Sequence, residues 1–165
     1  MADVTPPAPR PNWWQRRIAG PVRQQLTQGI TPDKIALTLA LGFTLGIFPI
    51  LGSGFLLCGL AAWALKLNQP IIQGTGTLAY PLQLVLLLPF YRAGESLFSV
   101  PAIPLSIPQL LSRFFEDIPL FLQEYGMTGV RGILVWSLLA PAVWAALYFS
   151  LRPLLRRVAS RLAKD

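Results

Sequence analysis

The residues of this chain that are suited to binding are neutral and lie inside long apolar segments. They fall into two groups, a Pro/Gly-rich run near residue 50 and a Gln/Thr-rich run that begins at residue 73. Such residues interrupt helices and expose backbone amides and carbonyls, which is how many transporters bind a substrate near the middle of a membrane. The pattern favours transport or lipid handling. The candidate lining or binding residues are Pro49, Gly52, Ser53, Gly54, Gln73, Thr75, Thr77, Tyr80, Pro81 and Gln83.

Groups that catalyse reactions are absent from the apolar segments. The chain has no histidine and a single cysteine, Cys58, which we expect to be a small buried hydrophobe. Segments 35–65, 67–91 and 132–151 contain no Asp, Glu, Arg or Lys. Lys66 lies between the first two segments. A proton relay or a buried carboxylate site is therefore excluded there. We expect neither an enzyme, nor a metal site, nor a cofactor.

Two small-residue motifs have a packing interpretation beside the functional one. Residues 74–77, Gly-Thr-Gly-Thr, lack the lysine and the strand–loop–helix setting of a phosphate loop. Close helix packing, with Thr hydroxyls bonded to nearby backbone, is the favoured interpretation. Gly42 and Gly46 form a GxxxG motif in an apolar segment. This motif predicts close packing against the next helix, with an oligomer contact as the alternative.

Three apolar segments must position these residues. The first, 35–65, is broken by Pro49 and the glycines that follow it. Each half is no longer than about 21 Å as a helix, short of the roughly 30 Å hydrocarbon core. The segment is therefore either a re-entrant hairpin or two short tilted spans. The second, 70–91, is long enough to cross once, with an interruption at Tyr80–Pro81. The third, 132–151, has the length of a conventional span.

The charge distribution predicts an orientation. The chain of 165 residues is 53% hydrophobic and 13% charged, against roughly 25% charged in soluble domains. Of its net charge of +7, most lies before residue 35 and after residue 151. Lys and Arg that flank spans stay in the cytoplasm. We expect both termini and both Lys34 and Lys66 on the cytoplasmic side of a bacterial inner membrane, with no role in binding nucleic acid.

The segments outside the spans are predicted to be amphipathic or extended. Residues 1–11 are a Pro-rich tail that we expect to be disordered. Residues 12–28 predict a helix that lies in the interface or packs on its own protein. Residues 96–126 form an outer amphipathic region, kinked at Pro119 and closed by Gly126. Residues 152–165 form a basic tail at the inner leaflet. No cleavable signal peptide is evident.

Short motifs of Pro, Gly and polar residues are spread over residues 31–95. They are formed by Pro32, Lys34, Ala36, Gly42, Gly46, Pro49, Leu67, Asn68, Pro70, Gly74, Thr75, Pro81, Tyr91, Arg92 and Gly94. At these positions the chain resembles the bacterial inner-membrane family designated domain of unknown function 2062 (DUF2062). The resemblance implies a membrane protein and does not supply an activity. Where the family has an Asn before its second proline this chain has Tyr80, and Gln83 replaces a Thr. A role of that Asn is either absent here or taken over by these two residues.

The expected fold is an all-α integral membrane bundle. A single membrane domain, 31–151, combines the broken hairpin, the transmembrane helices and amphipathic interfacial helices. Lys34 and Lys66 would attract anionic headgroups, and Arg92 and Glu95 would guard the outer mouth. The expected partners are membrane lipids and either further copies of the chain or another membrane protein. The alternative function is a non-catalytic membrane scaffold that binds a partner.

Overall fold

The computed structural model describes residues 30–101 and 106–162, and these ranges form five helices. They are α1 (Pro32–Gly46), α2 (Ser53–Leu65), α3 (Gln69–Leu97), α4 (Ile107–Glu116) and α5 (Ile118–Leu162). No strand occurs in either range, so the all-α prediction is confirmed. The predicted tail 1–11, the predicted helix 12–28 and residues 163–165 of the basic tail lie outside the described residues.

α1 and α3 each begin at a residue whose side chain caps the helix. The Thr31 side chain accepts a hydrogen bond from the backbone N–H of Lys34 at 3.3 Å, and Pro32 occupies the first helical position. The Asn68 side chain accepts one from the N–H of Ile71 at 3.0 Å. Each cap satisfies a backbone donor that the first helical turn leaves without a partner. Both helices thus begin with a side-chain cap and a proline in the first turn.

The first apolar segment is a helical hairpin. α1 ends at Gly46 and α2 begins at Ser53, so the break predicted around Pro49 is confirmed. We call residues 47–52 the tip. Gly52 has φ of 76°, in the left-handed region that a side chain disfavours, and this conformation turns the chain into α2. The two helices therefore run in opposite directions, with the tip at one end.

The second apolar segment is one continuous helix. α3 passes through Pro81 and Pro89 without a break, so the predicted interruption at Tyr80–Pro81 is wrong. A proline inside a helix removes one backbone hydrogen bond and crowds the preceding turn. Packing of α3 against α1, α2 and α5 supplies enough contact to keep it helical at both prolines.

The outer region and the third segment are joined differently from the prediction. α4 ends at Glu116, and α5 starts two residues later, with the side chain of Asp117 accepting from the N–H of Leu120 at 3.0 Å. Pro119 lies in the first turn of α5, where it is tolerated. Gly126 does not close a helix, because its backbone stays right-handed within α5. The predicted span 132–151 is the middle of this 45-residue helix.

Close contacts of small residues join α1 to α3. A Cβ added at Gly46 would lie 2.8 Å from Cα of Gly76, and one added at Gly42 would lie 2.8 Å from the carbonyl oxygen of Ile72. The GxxxG motif thus faces α3 rather than α2, the next helix in the chain. α1, α3 and α5 each pack against the other two, and α2 packs against α1 and α3.

Within the described ranges, two helices are long and apolar enough to cross a membrane. They are Gln69–Leu97 and the part of α5 from Tyr125 to Arg161. In their most apolar windows only 22% and 11% of the residues are buried. A core helix of a soluble protein would be mostly buried, so these windows instead present apolar side chains to the surroundings.

Candidate functional site

Side chains of α3 hold the backbone of the tip. The Gln83 amide nitrogen donates to the carbonyl oxygens of Phe48 and Ile50, at 2.6 and 3.1 Å. The Tyr91 hydroxyl donates to the carbonyl of Pro49 at 3.0 Å. A turn leaves such carbonyls without helical partners, and buried ones need a donor. Three consecutive carbonyls of the tip are thereby satisfied from one helix.

Helix α5 supports the tip from another side. Trp136 Nε1 donates to the carbonyl oxygen of Thr44 at 3.3 Å. Its ring contacts Phe48 edge-on, with centroids 4.9 Å apart. Sequence reasoning did not assign Tyr91 or Trp136 to the site. An aromatic residue with a polar atom inside an apolar helix is the signal that it needs a hydrogen-bond partner.

A cavity of about 150 Å³ lies beside the tip, between the hairpin and α3. We call it the hairpin groove. Among the residues that line it are six of the candidates chosen from sequence, although these come from segments far apart in the chain. The complete lining is Gly46, Gly52, Gly54, Phe55, Gln73, Gly76, Thr77, Tyr80 and Gln83.

Four candidates lie elsewhere. Pro49 is buried under the Tyr91 hydroxyl. The Ser53 hydroxyl donates to the carbonyl of Ile50 at 2.8 Å. The Thr75 hydroxyl donates to the carbonyl of Ile71, also at 2.8 Å. Pro81 is exposed. The structure therefore gives the two hydroxyls a local backbone partner and places none of the four in the groove lining.

The two glutamines of the groove have their amide nitrogens turned to the hairpin. Gln73 Nε2 donates to the carbonyl of Phe55 at 3.1 Å, much as Gln83 binds the tip. Because a carbonyl accepts only from the nitrogen end of an amide, these bonds fix which end is which. The carbonyl oxygen of each side chain is then the end left for the groove.

One family covers almost the whole molecule just described. The family model described as an uncharacterized protein conserved in bacteria, DUF2062, matches residues 15–164. This chain belongs to the DUF2062 family. The match extends well past the 31–95 region of the sequence motifs and includes the hairpin, the groove and all of α5. No curated protein and no solved structure matches the chain.

The charged candidates of this DUF2062 protein lie away from the groove. Lys34 and Lys66 are exposed near the open end of the hairpin. Arg92 Nη1 lies 2.9 Å from Oε2 of Glu95, a buried carboxylate. Gln83 and Arg92 are separated by about 14 Å along α3. The pair therefore marks the far end of the bundle and does not line the groove.

An ion-pair cluster at the opposite end joins α1 to α5. Asp33 accepts from Arg156 at 2.6 and 2.8 Å and from Arg152 at 3.2 Å through both oxygens. The hydrogen bonds from Arg156 and then Arg152 lower the pKa of Asp33 to about 2. This cluster fixes the N-terminus of α1 beside the last turns of α5.

A second, apolar cavity of about 330 Å³ lies on the other side of the tip, between Ile50, Leu51, Tyr91 and the facing parts of α4 and α5. Within the described ranges no three His, Cys, Asp or Glu side chains come together as a metal site would require. The hairpin groove and the apolar cavity thus enclose the tip from two sides.

Proposed function

We propose that this DUF2062 protein is an integral protein of the bacterial inner membrane that handles lipid through the hairpin groove. The observation that carries the proposal is the location of the groove. Its lining includes the polar side chains of Gln73, Thr77 and Gln83 within an otherwise apolar surface, and its rim residue Phe55 is 68% exposed. Two other lining residues, Thr77 and Tyr80, are also exposed, so the groove opens at the side of the bundle.

The uncharged lengths of α3 and α5 support a membrane setting. About 32 Å of α5 separates Arg131 from Arg152, and about 35 Å of α3 separates Gln69 from Arg92, at 1.5 Å per residue. Both lengths match the roughly 30 Å hydrocarbon core of a bilayer. Exposed Leu78, Val85 and Leu138 lie within these lengths and would contact lipid.

The charged ends of the two helices also lie at matching levels. At one end Gly94 of α3 packs on the backbone of Arg131, with a Cβ added there 2.9 Å away. At the other end Asp33, at the start of α1, binds Arg152. We infer that α3 crosses outward and α5 crosses back, with the end of the bundle that carries the excess Lys and Arg in the cytoplasm.

Contacts of the hairpin along α5 show how far it reaches. Trp136 contacts the end of α1, and along α5 it is about 24 Å from Arg152 but only about 8 Å from Arg131. The tip reaches further, since a Cβ added at Gly129 would lie 3.2 Å from Ile50 and one added at Gly132 would lie 3.7 Å from Pro49, on either side of Arg131. We propose that the hairpin enters from the cytoplasmic side, approaches the level of Arg131 and returns. Its irregular backbone would be tolerated at that depth because α3 and α5 satisfy the carbonyls.

Lipid is favoured over a soluble solute because the groove faces sideways. A headgroup moving between leaflets needs a polar surface that its acyl chains reach from the bilayer. Gln73, Thr77, Tyr80 and Gln83 offer such a surface over about 15 Å of α3. Lys34 and Lys66, exposed at the inner end, would attract anionic headgroups toward it.

A matched pair of threonines tests lipid handling. We expect vesicles that contain the purified protein to exchange labelled lipid between leaflets. Thr77→Val removes a hydroxyl from the groove and should slow exchange several-fold. Thr75→Val makes the same change on the same helix, outside the groove lining, and should leave exchange unchanged. Lack of exchange by the unaltered protein, together with a stoichiometric co-purifying protein, would support a scaffold instead.

Single cysteines test the depth of the tip. In a Cys58→Ala background, an impermeant maleimide added outside cells should label Ser96→Cys, at the end of α3. It should not label Ser53→Cys, next to the tip, or Ser160→Cys, near the end of α5. External labelling of Ser53→Cys would show that the hairpin crosses fully and would contradict the re-entrant topology.

A further inference from the structure

The hairpin groove has the chemistry of a site for a hydrogen-bond donor. We propose that it binds a primary ammonium group, of the kind carried by an ethanolamine headgroup. The inference rests on the proposed function, since that function places the groove in contact with lipid. It names the part of the lipid that the groove recognises.

The first argument is the orientation of the two amides. Gln83 uses its Nε2 for two carbonyls of the tip, and Gln73 uses its Nε2 for the carbonyl of Phe55. Each Oε1 is thereby left as an acceptor beside the cavity. No donor among the described residues is hydrogen-bonded to either oxygen. Two amide oxygens that face a common space suit a group with several N–H donors.

The second argument is the aromatic rim. Phe55 of α2 and Tyr80 of α3 both line the groove, one from each wall. The face of an aromatic ring attracts a cation, and attracts it more strongly where water is excluded. An ammonium held by the amide oxygens would therefore gain further stabilisation from these rings.

The third argument is the lack of any charge in the lining. All of the lining residues are neutral, so the groove holds neither a competing cation nor a carboxylate. A neutral lining favours a group whose charge is balanced within its own molecule, because an isolated ion is costly to move out of water. A zwitterionic headgroup meets that condition. The cavity of about 150 Å³ suits a headgroup end rather than an acyl chain.

The test uses the full chain in detergent micelles and measures the shift in melting temperature as lipid is added. Lipids with ethanolamine and choline headgroups carry identical acyl chains, and free ethanolamine forms a third arm. A ligand that binds only the folded state raises the melting temperature with its concentration. We expect the ethanolamine lipid to bind about tenfold more tightly than the choline lipid, whose quaternary nitrogen has no N–H to donate.

A matched pair of glutamines provides the control. Gln73→Met keeps the length of the side chain but removes the acceptor, and should abolish the preference for ethanolamine. Gln69 is one turn earlier and donates to the carbonyl of Gly59 at 3.3 Å, yet it does not line the groove. Gln69→Met should keep the preference. If Gln73→Met does not fold, Gln73→Asn, which keeps the amide but withdraws its oxygen from the groove by one methylene group, should reduce the same preference.

The outcomes separate this inference from the proposed function. Equal binding of ethanolamine and choline lipids, or an unchanged preference in the Gln73 variants, would overturn ammonium recognition while lipid exchange could still occur. A clear preference for the ethanolamine lipid without lipid exchange in vesicles would support the ammonium site and contradict lipid handling. A shift by free ethanolamine as large as by the lipid would identify a soluble amine as the source of the ammonium.

Discussion

Gln83 is the residue on which the shape of the tip depends most directly. Its side chain is 2% exposed, and its amide nitrogen donates to the carbonyls of Phe48 and Ile50, which also accept from the Ile50 N–H and the Ser53 hydroxyl respectively. One such hydrogen bond contributes about 0.5–1.5 kcal/mol to stability. The residue thus has a structural role through its nitrogen and a proposed binding role through its oxygen.

Replacing Gln83 with Leu should therefore destabilise the protein. We expect Gln83→Leu to lower the free energy of unfolding by about 1–2 kcal/mol, measured by melting in detergent, because each of the two carbonyls loses one of its donors. Gln69→Leu removes one longer bond from an exposed glutamine and should change it by about 0.5 kcal/mol or less. Equal effects of the two substitutions would argue against the tip contact.

The ion pairs of Asp33 make the stability of the folded protein depend on pH. Its pKa in the folded protein is about 2, below the roughly 3.9 of an unfolded chain. A lowered pKa means that the contribution of the cluster is complete above about pH 4 and is lost as the pH falls toward 2. We expect the melting temperature of the unaltered protein to fall over that interval, and that of Asp33→Asn to fall less.

The control for this prediction is an acidic residue outside the arginine cluster. Asp117 accepts a backbone hydrogen bond at the start of α5. Asp117→Asn should keep the acid dependence of the unaltered protein between about pH 4 and pH 2. An identical acid dependence in Asp33→Asn and the unaltered protein would show that the ion pairs with Arg152 and Arg156 do not contribute.

At the scale of helices, the distance between α1 and α3 depends on glycine. Gly46→Ala would place a Cβ 2.8 Å from backbone atoms of Gly76, so the helices must move apart. We expect a marked loss of stability and a change in the groove, seen as a lower melting temperature. Gly74→Ala, on α3 with nothing within 4 Å of its Cβ, should instead be neutral or gain up to about 1 kcal/mol.

Helix starts and the hairpin break could be predicted from sequence, because local chemistry determines them. Thr31 and Asn68 cap helices through their own side chains, and Gly52 supplies a left-handed conformation within the turn. The continuity of α3 through Pro81 could not be predicted in this way. A proline weakens a helix locally, and whether the helix continues depends on tertiary packing that a single segment does not contain.

At the scale of the whole molecule, the proposed crossing of α5 predicts where a charge is tolerated. Leu138 is 72% exposed and lies between Arg131 and Arg152, inside the uncharged length. Leu138→Arg should reduce the fraction of protein that resists alkaline extraction from membranes, since a central arginine costs about 2.5–3.5 kcal/mol on insertion. A soluble protein would tolerate the same change on its surface.

Leu154 provides the comparison on the same helix. It is 53% exposed but follows Arg152, outside the uncharged length. Leu154→Arg should insert as well as the unaltered protein. Equal extraction of both variants would contradict the assignment of 132–151 to the bilayer.

The assembly of the groove illustrates what sequence alone reveals at this scale. Composition indicated that polar residues near 50 and near 73–83 belong together, and six of ten candidates line one cavity. The contact of Asp33 with Arg152 joins positions 119 residues apart. Neither residue is unusual in its own segment, so no local pattern could indicate that pair.

The depth of the tip has a consequence for the lipid around the protein. In the proposed topology four helices, α1, α2, α3 and α5, occupy the cytoplasmic leaflet at the level of Ala40, whereas at the tip the hairpin ends and α3 and α5 are accompanied only by the short helix α4, whose Leu110 packs with Leu51 and Leu87. The protein would then displace more lipid area from one leaflet than from the other. Many copies in one membrane would create an area difference between leaflets, and the bilayer relieves such a difference by bending.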